Sequence, residues 1–477
     1  MSTPELVSPA PRSIPWMTRA RTSRWAALPV VLTGIFMVVL DFFIVNVAMP
    51  SMQADLGASA SAIEWVVAGY GLTCAVFLIT GGRLGDQLGR RRMFSLGLAL
   101  FTASSAACGL APTAEVLVVA RLVQGAASAL LMPQVLAIIG VVYSGADRVR
   151  AISIYGTVMG LAAVGGQLIG GVLVETDIAG LGWRNVFLIN VPIGLAALAL
   201  VPRVVPESRA EGARRLDLVG MTLVTVGLVA VVLPLVEGRQ HGWPTWTWAS
   251  LAAAPAILAA FAAHQIRMSR RGGDPLLDLR LFGERAFVAG IVTQLVFFSG
   301  MASFFLVLAL YLQEGRGLSA LDAGLVFTIL AAAYLVASAR APELTQRLGR
   351  RLPATGGILV AVGHALLALA ISDIGTGGSI APLVPGLLLA GAGMGLVITP
   401  LTSTVLGNLR PERAGAASGA LSTMQQVGNA LGVAVTGVLF FGALDGGFAH
   451  AFEISLVQLA GLGVAVALLT RLLPARA

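Results

Sequence analysis

The sequence predicts an all-α integral membrane protein with 14 transmembrane helices, arranged as two six-helix halves with two inserted helices between them. Of its 477 residues, 57% are hydrophobic and only 11% are charged. A soluble domain carries about 25% charged residues, so this composition is typical of a polytopic membrane protein. The number of apolar segments and an internal repeat predict the arrangement of the helices.

Fourteen apolar segments are long enough to cross a bilayer, whose hydrocarbon core needs about 20 residues per helix. The 57 glycines suit helices that approach one another closely in lipid. The segments are centred near residues 37, 72, 102, 126, 162, 194, 227, 256, 299, 331, 362, 391, 427 and 462.

These segments divide the chain into five predicted regions. No cleavable signal peptide is expected, because the first apolar run has full membrane length and should stay as an anchor. The regions are a cytoplasmic N-terminal tail (1–24), a first half with helices 1–6 (25–204), a linker with inserted helices 7 and 8 (205–267), a cytoplasmic loop (268–285) and a second half with helices 9–14 (286–473).

The arginines predict the orientation in the membrane. If the N-terminus is cytoplasmic, the inner loops and tails hold 27 arginines, whereas the outer loops hold only Arg184, Arg239 and Arg316. This asymmetry follows the positive-inside rule, so we expect a multi-pass protein of the inner (plasma) membrane with both termini cytoplasmic. The net charge of +8 then reflects topology, and the expected partner is the lipid bilayer, with no nucleic acid.

An internal repeat relates the two halves. The loop GGRLGDQLGRR at 81–91 reappears as APELTQRLGRR at 341–351, and RAISIYGTVMGLAAVG at 150–165 resembles RAGAASGALSTMQQVG at 413–428. Helices 2–5 therefore correspond to helices 10–13. Duplicated halves are typical of secondary transporters, which rock one half against the other around a central site.

Two charges lie inside apolar segments. Arg121 interrupts predicted helix 4 and Asp41 interrupts predicted helix 1, each about six or seven residues from the outer end of its segment. A charge at this depth costs at least a few kcal/mol, so it is rarely kept without a function. The two side chains are interpreted either as a site that handles protons and substrate or as a static ion pair that orders the packing.

Several short motifs follow one another in an order typical of one family. They are LDFFIVNVAMP at 40–50, GRLGDQLGRR at 82–91, RLVQGA at 121–126, WRNVFLINVPIG at 183–194, DLVG at 217–220 and DPL at 274–276. Together they resemble the major facilitator superfamily, specifically its fourteen-helix drug:proton antiporters of the EmrB/QacA type. Three positions depart from the family pattern: Phe43 replaces threonine, Gln87 replaces arginine, and Gln167 replaces the proline of the helix 5 motif.

The resemblance implies roles for three groups of residues. Helices 1 and 4 would line a central cavity, where Asp41 binds protons and substrate in turn and Arg121 controls its acidity. The loop after helix 2 would form a cytoplasmic gate, although its arginines also serve topology. The implied gate residues are Gly82, Gly85, Asp86, Gly89, Arg90 and Arg91, and the helix 5 motif comprises Gly166, Gly170 and Gly171.

Polar residues within the apolar segments are candidates for the substrate cavity. Each of them serves equally well as an interhelical hydrogen bond. The candidates are Asn46, Tyr70, Gln124, Gln167, Gln294, Gln425 and Asn429.

Other titratable residues are expected to be peripheral to this chemistry. Glu64, Glu115 and Glu175 are predicted to lie at the outer interface, within reach of water, which leaves Asp41 as the only deep carboxylate. His364 lies at mid-membrane depth and could titrate near neutrality, as an unperturbed imidazole does, but a structural role is favoured for it.

We therefore expect a proton-coupled exporter of small amphiphilic or monocationic compounds, not an enzyme. Its partners would be a lipophilic or cationic small molecule and protons, and a monomer is expected. Neither a metal nor another cofactor is predicted, since the proton gradient supplies the drive and no phosphate-binding loop with its lysine is present. The alternatives are a dedicated exporter of one endogenous metabolite or antibiotic, and a non-transporting scaffold or sensor.

Overall fold

The computed structural model describes residues 21–209, 217–238, 241–273, 275–276, 282–407 and 411–473, and these residues contain helices and no strand. The predicted tail up to residue 20, linker residues 210–216 and loop positions 274 and 277–281 lie outside this range. The helices are α1 (Arg21–Leu56), α2 (Ala60–Leu88), α3 (Arg90–Gly109), α4 (Ala114–Val142), α5 (Gly145–Glu175), α6 (Asn190–Val204), α7 (Leu218–Glu237), α8 (Thr245–Arg270), α9 (Arg285–Leu310), α10 (Ala320–Leu348), α11 (Arg351–Ile374), α12 (Val384–Gly407), α13 (Pro411–Gly442) and α14 (Phe448–Leu469).

Helices form here because a segment in lipid must satisfy its own backbone hydrogen bonds. Several of them begin at a side chain that accepts a bond from an otherwise unpaired amide. Ser59 caps α2, Thr113 caps α4 and Ser319 caps α10. At the end of α2, Gly89 adopts a φ of 115°, a conformation that glycine tolerates well, and the chain turns there into α3.

Asp217 caps α7 and also ties it to α8. Its carboxylate accepts hydrogen bonds from the Gly220 amide at 2.8 Å, from His264 Nε2 at 2.8 Å and from Gln265 Nε2 at 2.7 Å. Burial alone would raise the pKa of the Asp217 carboxyl, but these three hydrogen bonds lower the pKa below its usual value. The inserted helices are therefore joined at this end by a buried carboxylate.

A helix lies at each of the fourteen predicted centres, and thirteen spans in the described residues are long and apolar enough to cross a membrane. The helix missing from that set is α3, which begins with three arginines and carries several serines and threonines. The all-helical membrane fold is thus confirmed, whereas the full count of fourteen spans stays a prediction.

The packing of the first six helices recurs in the last six. In the first half α2 and α3 pack on α4, α1 packs on α5, and α6 packs on α1 and α3. In the second half α10 and α11 pack on α12, α9 packs on α13, and α14 packs on α9 and α11. The halves meet through α1 with α9, α2 with α13 and α5 with α10, while α7 packs against both α2 and α13. The domain boundaries themselves stay a prediction.

The two halves are closed against each other at one end of the bundle. We call the end with Arg83, Arg90 and the start of α1 the arginine-rich end, and the opposite end, with the start of α10, the far end. A methyl group on Gly171 of α5 would lie only 2.6 Å from the Ala320 carbonyl oxygen of α10. Towards the arginine-rich end, beyond the contact of Gly160 with Leu335, α10 residues 336–348 are exposed or half-buried except Ala341.

Candidate functional site

Asp41 of α1 and Arg121 of α4 form an ion pair in the core of the first half. Their side chains are 0% and 1% exposed, and Arg121 Nη1 donates to Asp41 Oδ2. The other carboxylate oxygen, Oδ1, accepts from Gln124 Nε2 at 2.9 Å and from Asn190 Nδ2 at 3.2 Å. Both oxygens of Asp41 are thus occupied by donors from two other helices, α4 and α6.

The guanidinium of Arg121 is equally well surrounded. Nε donates to the Val66 carbonyl oxygen at 2.9 Å, and Nη1 also donates to Gln124 Oε1 at 2.8 Å. The guanidinium carbon lies 4.2 Å from the ring centroid of Tyr70 and 5.6 Å from that of Phe187. Since ring faces attract cations, these contacts help to compensate the desolvation of the charge.

A further layer of hydrogen bonds fixes the orientation of these partners. Asn190 also donates to Ser105 Oγ at 3.0 Å, and Ser105 donates to the Phe187 carbonyl oxygen at 2.8 Å. The Tyr70 hydroxyl bonds Ser128 Oγ at 2.7 Å. The side chains of α1, α2, α3, α4 and α6 therefore form one connected polar cluster in the core of the first half.

Asn190 and Ser105 were not among the predicted site residues. The only sequence signal for Asn190 was its place in the motif before helix 6, and Ser105 had none, because serine in a membrane helix usually bonds its own backbone. Both residues are 0% exposed in the structure. Asn190 contacts Asp41 directly and so belongs to the site.

The predicted cavity residues divide into four in the first half and three in the second half, and the four of the first half are described here. Tyr70 and Gln124 join the Asp41 cluster, as described above. Asn46 donates to the carbonyl oxygens of Phe42 and Phe43 at 3.3 and 3.2 Å, so its amide bonds its own helix. Gln167 donates to the Phe43 carbonyl oxygen at 2.9 Å and joins α5 to α1.

The remaining candidates lie in the second half. Gln294 on α9 is buried, and its amide oxygen has no hydrogen-bond partner among the described residues. On α13, Asn429 donates to Gln426 Oε1 at 3.0 Å, while Gln425 is half-buried. These side chains are not part of the Asp41 cluster, and their role in binding substrate stays a prediction.

The glycines of the helix 5 motif allow close helix contacts. A methyl group on Gly166 would lie 3.0 Å from Phe43 Cβ, and one on Gly170 would lie 2.8 Å from Ile44 Cγ1. Both glycines face α1 beside Asp41, whereas Gly171 faces α10 of the other half. The motif therefore packs α5 against both the charged helix and the second half.

The predicted gate loop contacts α4, the linker after α6 and, through Arg83 and the Pro275 carbonyl oxygen, the loop before α9. Arg90 pairs with Asp86 at 2.8 Å, as the i,i+4 spacing predicts. The Arg91 backbone amide donates to Glu207 Oε1 at 3.1 Å, and a Cβ on Gly89 would lie 2.7 Å from that carboxylate oxygen. Gly82 and Gly85 lie opposite Pro133 and Gln134 of α4.

The prediction that Glu64 is a boundary charge within reach of water was wrong. Glu64 is only 1% exposed, because α13 of the second half covers it at Gly437. Glu115 and Glu175 are exposed, as expected. Asp41 is consequently not the only deeply buried carboxylate of the bundle.

His364 is also buried, and its ring lies 4.6 Å from that of Phe304. It borders a small apolar cavity between α9, α11, α12 and α14, away from the Asp41 cluster. Among the described residues, no group of three His, Cys, Asp or Glu side chains is placed to hold a metal ion.

Comparisons with known proteins agree with this architecture. The family model of the Major Facilitator Superfamily matches residues 31–433. A Streptomyces coelicolor protein described as a "Probable actinorhodin transporter" is 43% identical over 423 residues, covering 88% of this chain and 73% of that protein. The "Multidrug resistance protein Stp" of Mycobacterium tuberculosis is 36% identical over 406 residues, and the match covers 85% of this chain and 73% of that protein.

Among solved structures, the bacterial homologue of the human lysosomal transporter Spinster, in an inward-facing and unoccupied conformation, superposes with a TM-score of 0.69. It shares 17% sequence identity, and the match covers 95% of this chain and 98% of that one. At this identity the likeness shows the fold alone. The family match and the antibiotic and multidrug transporters among the relatives together establish that this chain is a transport protein of the major facilitator superfamily.

Proposed function

We propose that this protein is a proton-coupled exporter of small amphiphilic or monocationic molecules that works by alternating access. The observation that carries the proposal is the buried carboxylate of Asp41, which three donors from two helices hold in the middle of a helical half. Arginine does not titrate in proteins, so within this cluster the carboxylate is the group that can take up and release a proton.

The same contacts suggest how proton and substrate exclude each other. A proton on Asp41 removes the charge that attracts Arg121 and so weakens the link between α1 and α4. A cationic substrate that binds the carboxylate must displace the same guanidinium. Because both ligands compete for one set of contacts, one leaves when the other binds, as antiport requires.

The sidedness of the cycle follows from the charges of the loops. The arginine-rich end is proposed to face the cytoplasm, with both termini on that side of the inner membrane. The structure is closed at the far end, so it corresponds to the state that takes up substrate from the cytoplasm or the inner leaflet. We propose a monomer in the lipid bilayer, driven by the proton gradient without a cofactor.

A second candidate is a dedicated exporter of one endogenous metabolite or antibiotic. It is favoured by the relative described as an actinorhodin transporter, which is 43% identical over most of this chain. The relatives that are named as transporters argue against a scaffold or sensor. A neighbouring biosynthetic gene cluster would distinguish the dedicated role from multidrug export.

The test is transport by the purified protein in proteoliposomes with an imposed pH gradient and a panel of lipophilic dyes. We expect uphill movement of dye by the wild-type protein and none by Asp41→Asn, whose amide keeps the volume but does not titrate. Asp55→Asn is the matched control, since Asp55 lies on the same helix and pairs with Arg184 at 2.6 Å, but its side chain is 47% exposed. Uphill transport by Asp41→Asn would disprove the assignment of Asp41.

A further inference from the structure

Each described side chain that bonds Asp41 does so as a hydrogen-bond donor. Arg121 Nη1 donates to Oδ2, and Gln124 Nε2 and Asn190 Nδ2 donate to Oδ1 at 2.9 and 3.2 Å. This arrangement suits the ionised carboxylate, which only accepts hydrogen bonds. A protonated Asp41 carries an O–H group that must itself donate, so at least one of these partners has to become an acceptor.

Two of the three partners cannot make that change. The guanidinium of Arg121 has donors only. Gln124 is held in its orientation, because its Oε1 accepts from Arg121 Nη1 at 2.8 Å and from Cys108 Sγ at 3.5 Å. Turning this amide would place its NH₂ group against the guanidinium. Since Oδ2 of Asp41 faces Arg121, the proton belongs on Oδ1, beside the third partner.

Asn190 is the third partner, and its amide oxygen is not engaged. The residue is 0% exposed, and its Oδ1 has no hydrogen-bond partner among the described residues. Its Nδ2 donates both to Asp41 and, at 3.0 Å, to Ser105 Oγ. The torsion that turns an asparagine amide is broad and roughly twofold, so half a turn exchanges the nitrogen and the oxygen. This turn breaks no hydrogen bond of the oxygen.

We propose that Asn190 is a positioning residue whose amide turns when Asp41 takes up a proton. While the carboxylate is ionised, Asn190 Nδ2 donates to Asp41 Oδ1. When a proton binds Asp41 Oδ1, the amide turns, so that Asn190 Oδ1 accepts from the new O–H group and Nδ2 moves to the place of the oxygen. Asn190 itself gains and loses no proton. The inference rests on the proposed role of Asp41 as the proton site.

Ser105 is able to follow this change, because a hydroxyl hydrogen rotates to suit its neighbours. It now accepts from Asn190 and donates to the Phe187 carbonyl oxygen at 2.8 Å. In the protonated state it donates to Asn190 Oδ1 instead. Asp41 of α1 thus keeps a hydrogen bond to α6 in both states, whereas its ion pair with Arg121 exists in one. Protonation therefore releases α4 and leaves α1 fixed to α6.

The other groups around Asp41 do not titrate in the range of a carboxyl. Among the described residues, the charged or titratable groups that act on it are Arg121 of α4, Tyr70 of α2 and Cys108 of α3. In that part of the chain, α5, α6, α9 and α10, which also pack on α1, add none. Arginine stays charged, and an ordinary phenol and thiol titrate at about 10 and about 8.5. A protonation signal from this cluster on acidification is therefore that of Asp41.

The rival explanation is a static amide, which donates to the ionised carboxylate and does not turn. The two explanations differ in whether Asn190 accepts from protonated Asp41. Infrared spectroscopy distinguishes them, because a carbonyl band moves to lower wavenumber when its carbonyl accepts a hydrogen bond or when its own acid O–H donates one.

The test is infrared difference spectroscopy of the full-length protein in lipid, recorded as the pH is lowered. The asparagine side-chain carbonyls are labelled with ¹³C. In the wild-type protein we expect a carboxylic acid band that is absent in Asp41→Asn. In the same pH step, a labelled amide band should move to lower wavenumber, because Asn190 Oδ1 gains a donor.

Asn190→Leu keeps nearly the same side-chain volume without a polar atom. The O–H group of Asp41 then has no acceptor, so its acid band should move to higher wavenumber, and the labelled band change should vanish. Asn185→Leu is the matched control, since the Asn185 amide donates to the Ile178 carbonyl oxygen at 3.1 Å and does not bond Asp41. Both bands should be those of the wild type in this control.

An Asp41 acid band at the same wavenumber in Asn190→Leu and in the wild type would overturn the proposal in favour of a static amide. The labelled wild-type protein decides the matter even if Asn190→Leu does not fold. A labelled band that stays in place or moves to higher wavenumber as Asp41 takes up its proton would also overturn the turning amide.

The outcomes also separate this inference from the proposed function. The expected bands without uphill export under a pH gradient would remove proton coupling but leave the turning amide standing. Uphill export with an Asp41 band that does not respond to Asn190→Leu would remove the turning amide alone. Absence of an Asp41 band at every pH at which the protein stays folded would remove both.

Discussion

Adding one methyl group at Gly171 should prevent the far end from closing fully. A Cβ at this position would lie 2.6 Å from the Ala320 carbonyl oxygen and 2.9 Å from Leu321 Cα, both backbone atoms of the opposite half. Backbone cannot rotate away as a flexible side chain can, so α5 and α10 must move apart. Overpacking of this kind costs about 1–3 kcal/mol.

This cost falls on the far-closed state alone, because the contact crosses between the halves. Gly171→Ala should therefore shift the conformational equilibrium towards the far-open state by roughly fivefold to 150-fold. The distance between spin labels on the far ends of α5 and α10 should lengthen, and the maximal export rate should fall. Thermal stability should change little, since neither half is disturbed internally.

Gly160→Ala is the matched control on the same helix. There a methyl group would lie 3.5 Å from Leu335 Cδ2, an ordinary contact with α10. We expect the wild-type distance distribution and transport rate for this variant. A Gly171→Ala protein with the wild-type far-end distance and rate would show that closure does not depend on this contact.

Three other predictions concern charges. Asp41→Asn and Arg121→Ala should each abolish uphill export in proteoliposomes, and their double variant should be less damaged than the sum of the single losses, because the residues share one interaction. Asp217→Asn should destabilise the inserted helices. The pKa of the Asp217 carboxyl is lowered in the folded protein, so the ionised carboxylate stabilises the fold at any pH above its unfolded pKa of about 3.9. This stabilisation is lost as the pH falls through the pKa of the folded protein. The thermal unfolding midpoint measured against pH should therefore fall less steeply in acid for the variant than for the wild type, and equal slopes would contradict this. Neutral and monocationic lipophiles should be exported well and dications poorly. One proton exchanged for a monocation moves no net charge, so the pH difference alone drives the exchange with about 1.4 kcal/mol per pH unit. One proton exchanged for a dication must also work against the membrane potential, which costs about 2.3 kcal/mol per charge per 100 mV. Flux measured at zero and at inside-negative potential checks this, and efficient export of a dication at both would disprove single-proton exchange.

The positions of the helices and of the central ion pair were predictable from the sequence. Hydropathy marks each apolar segment, and similar depths in two segments were enough to pair Asp41 with Arg121. The pairing of Asp86 with Arg90 followed from helical spacing alone. These features depend on local sequence or on one dominant cost, the burial of a charge.

Features that depend on how the helices pack in three dimensions were not predictable. Glu64 lies near a helix end, and its burial involves α13 of the second half at Gly437. The contact of Asn190 with Asp41 depends on the packing of α6 against α1, which no local pattern specifies. The roles of Gln294, Gln425 and Asn429 stay predictions, because substrate contacts depend on the shape of the molecule that binds.

The two halves meet along two seams, one between α2 and α13 and one between α5 and α10. The inserted helices make these two seams unequal. Along its length α7 is tied to α2, since Met221 Sδ accepts from Thr80 at 3.3 Å near one end and Glu237 accepts from Trp65 near the other. It also packs on α13, so any rocking of the halves must slide α13 along α7 as a shear. The seam between α5 and α10 has no such cover in the described residues. If the halves rock as proposed, lipid tails would border the α5–α10 seam directly, and the viscosity and thickness of the bilayer would act on the motion from that side.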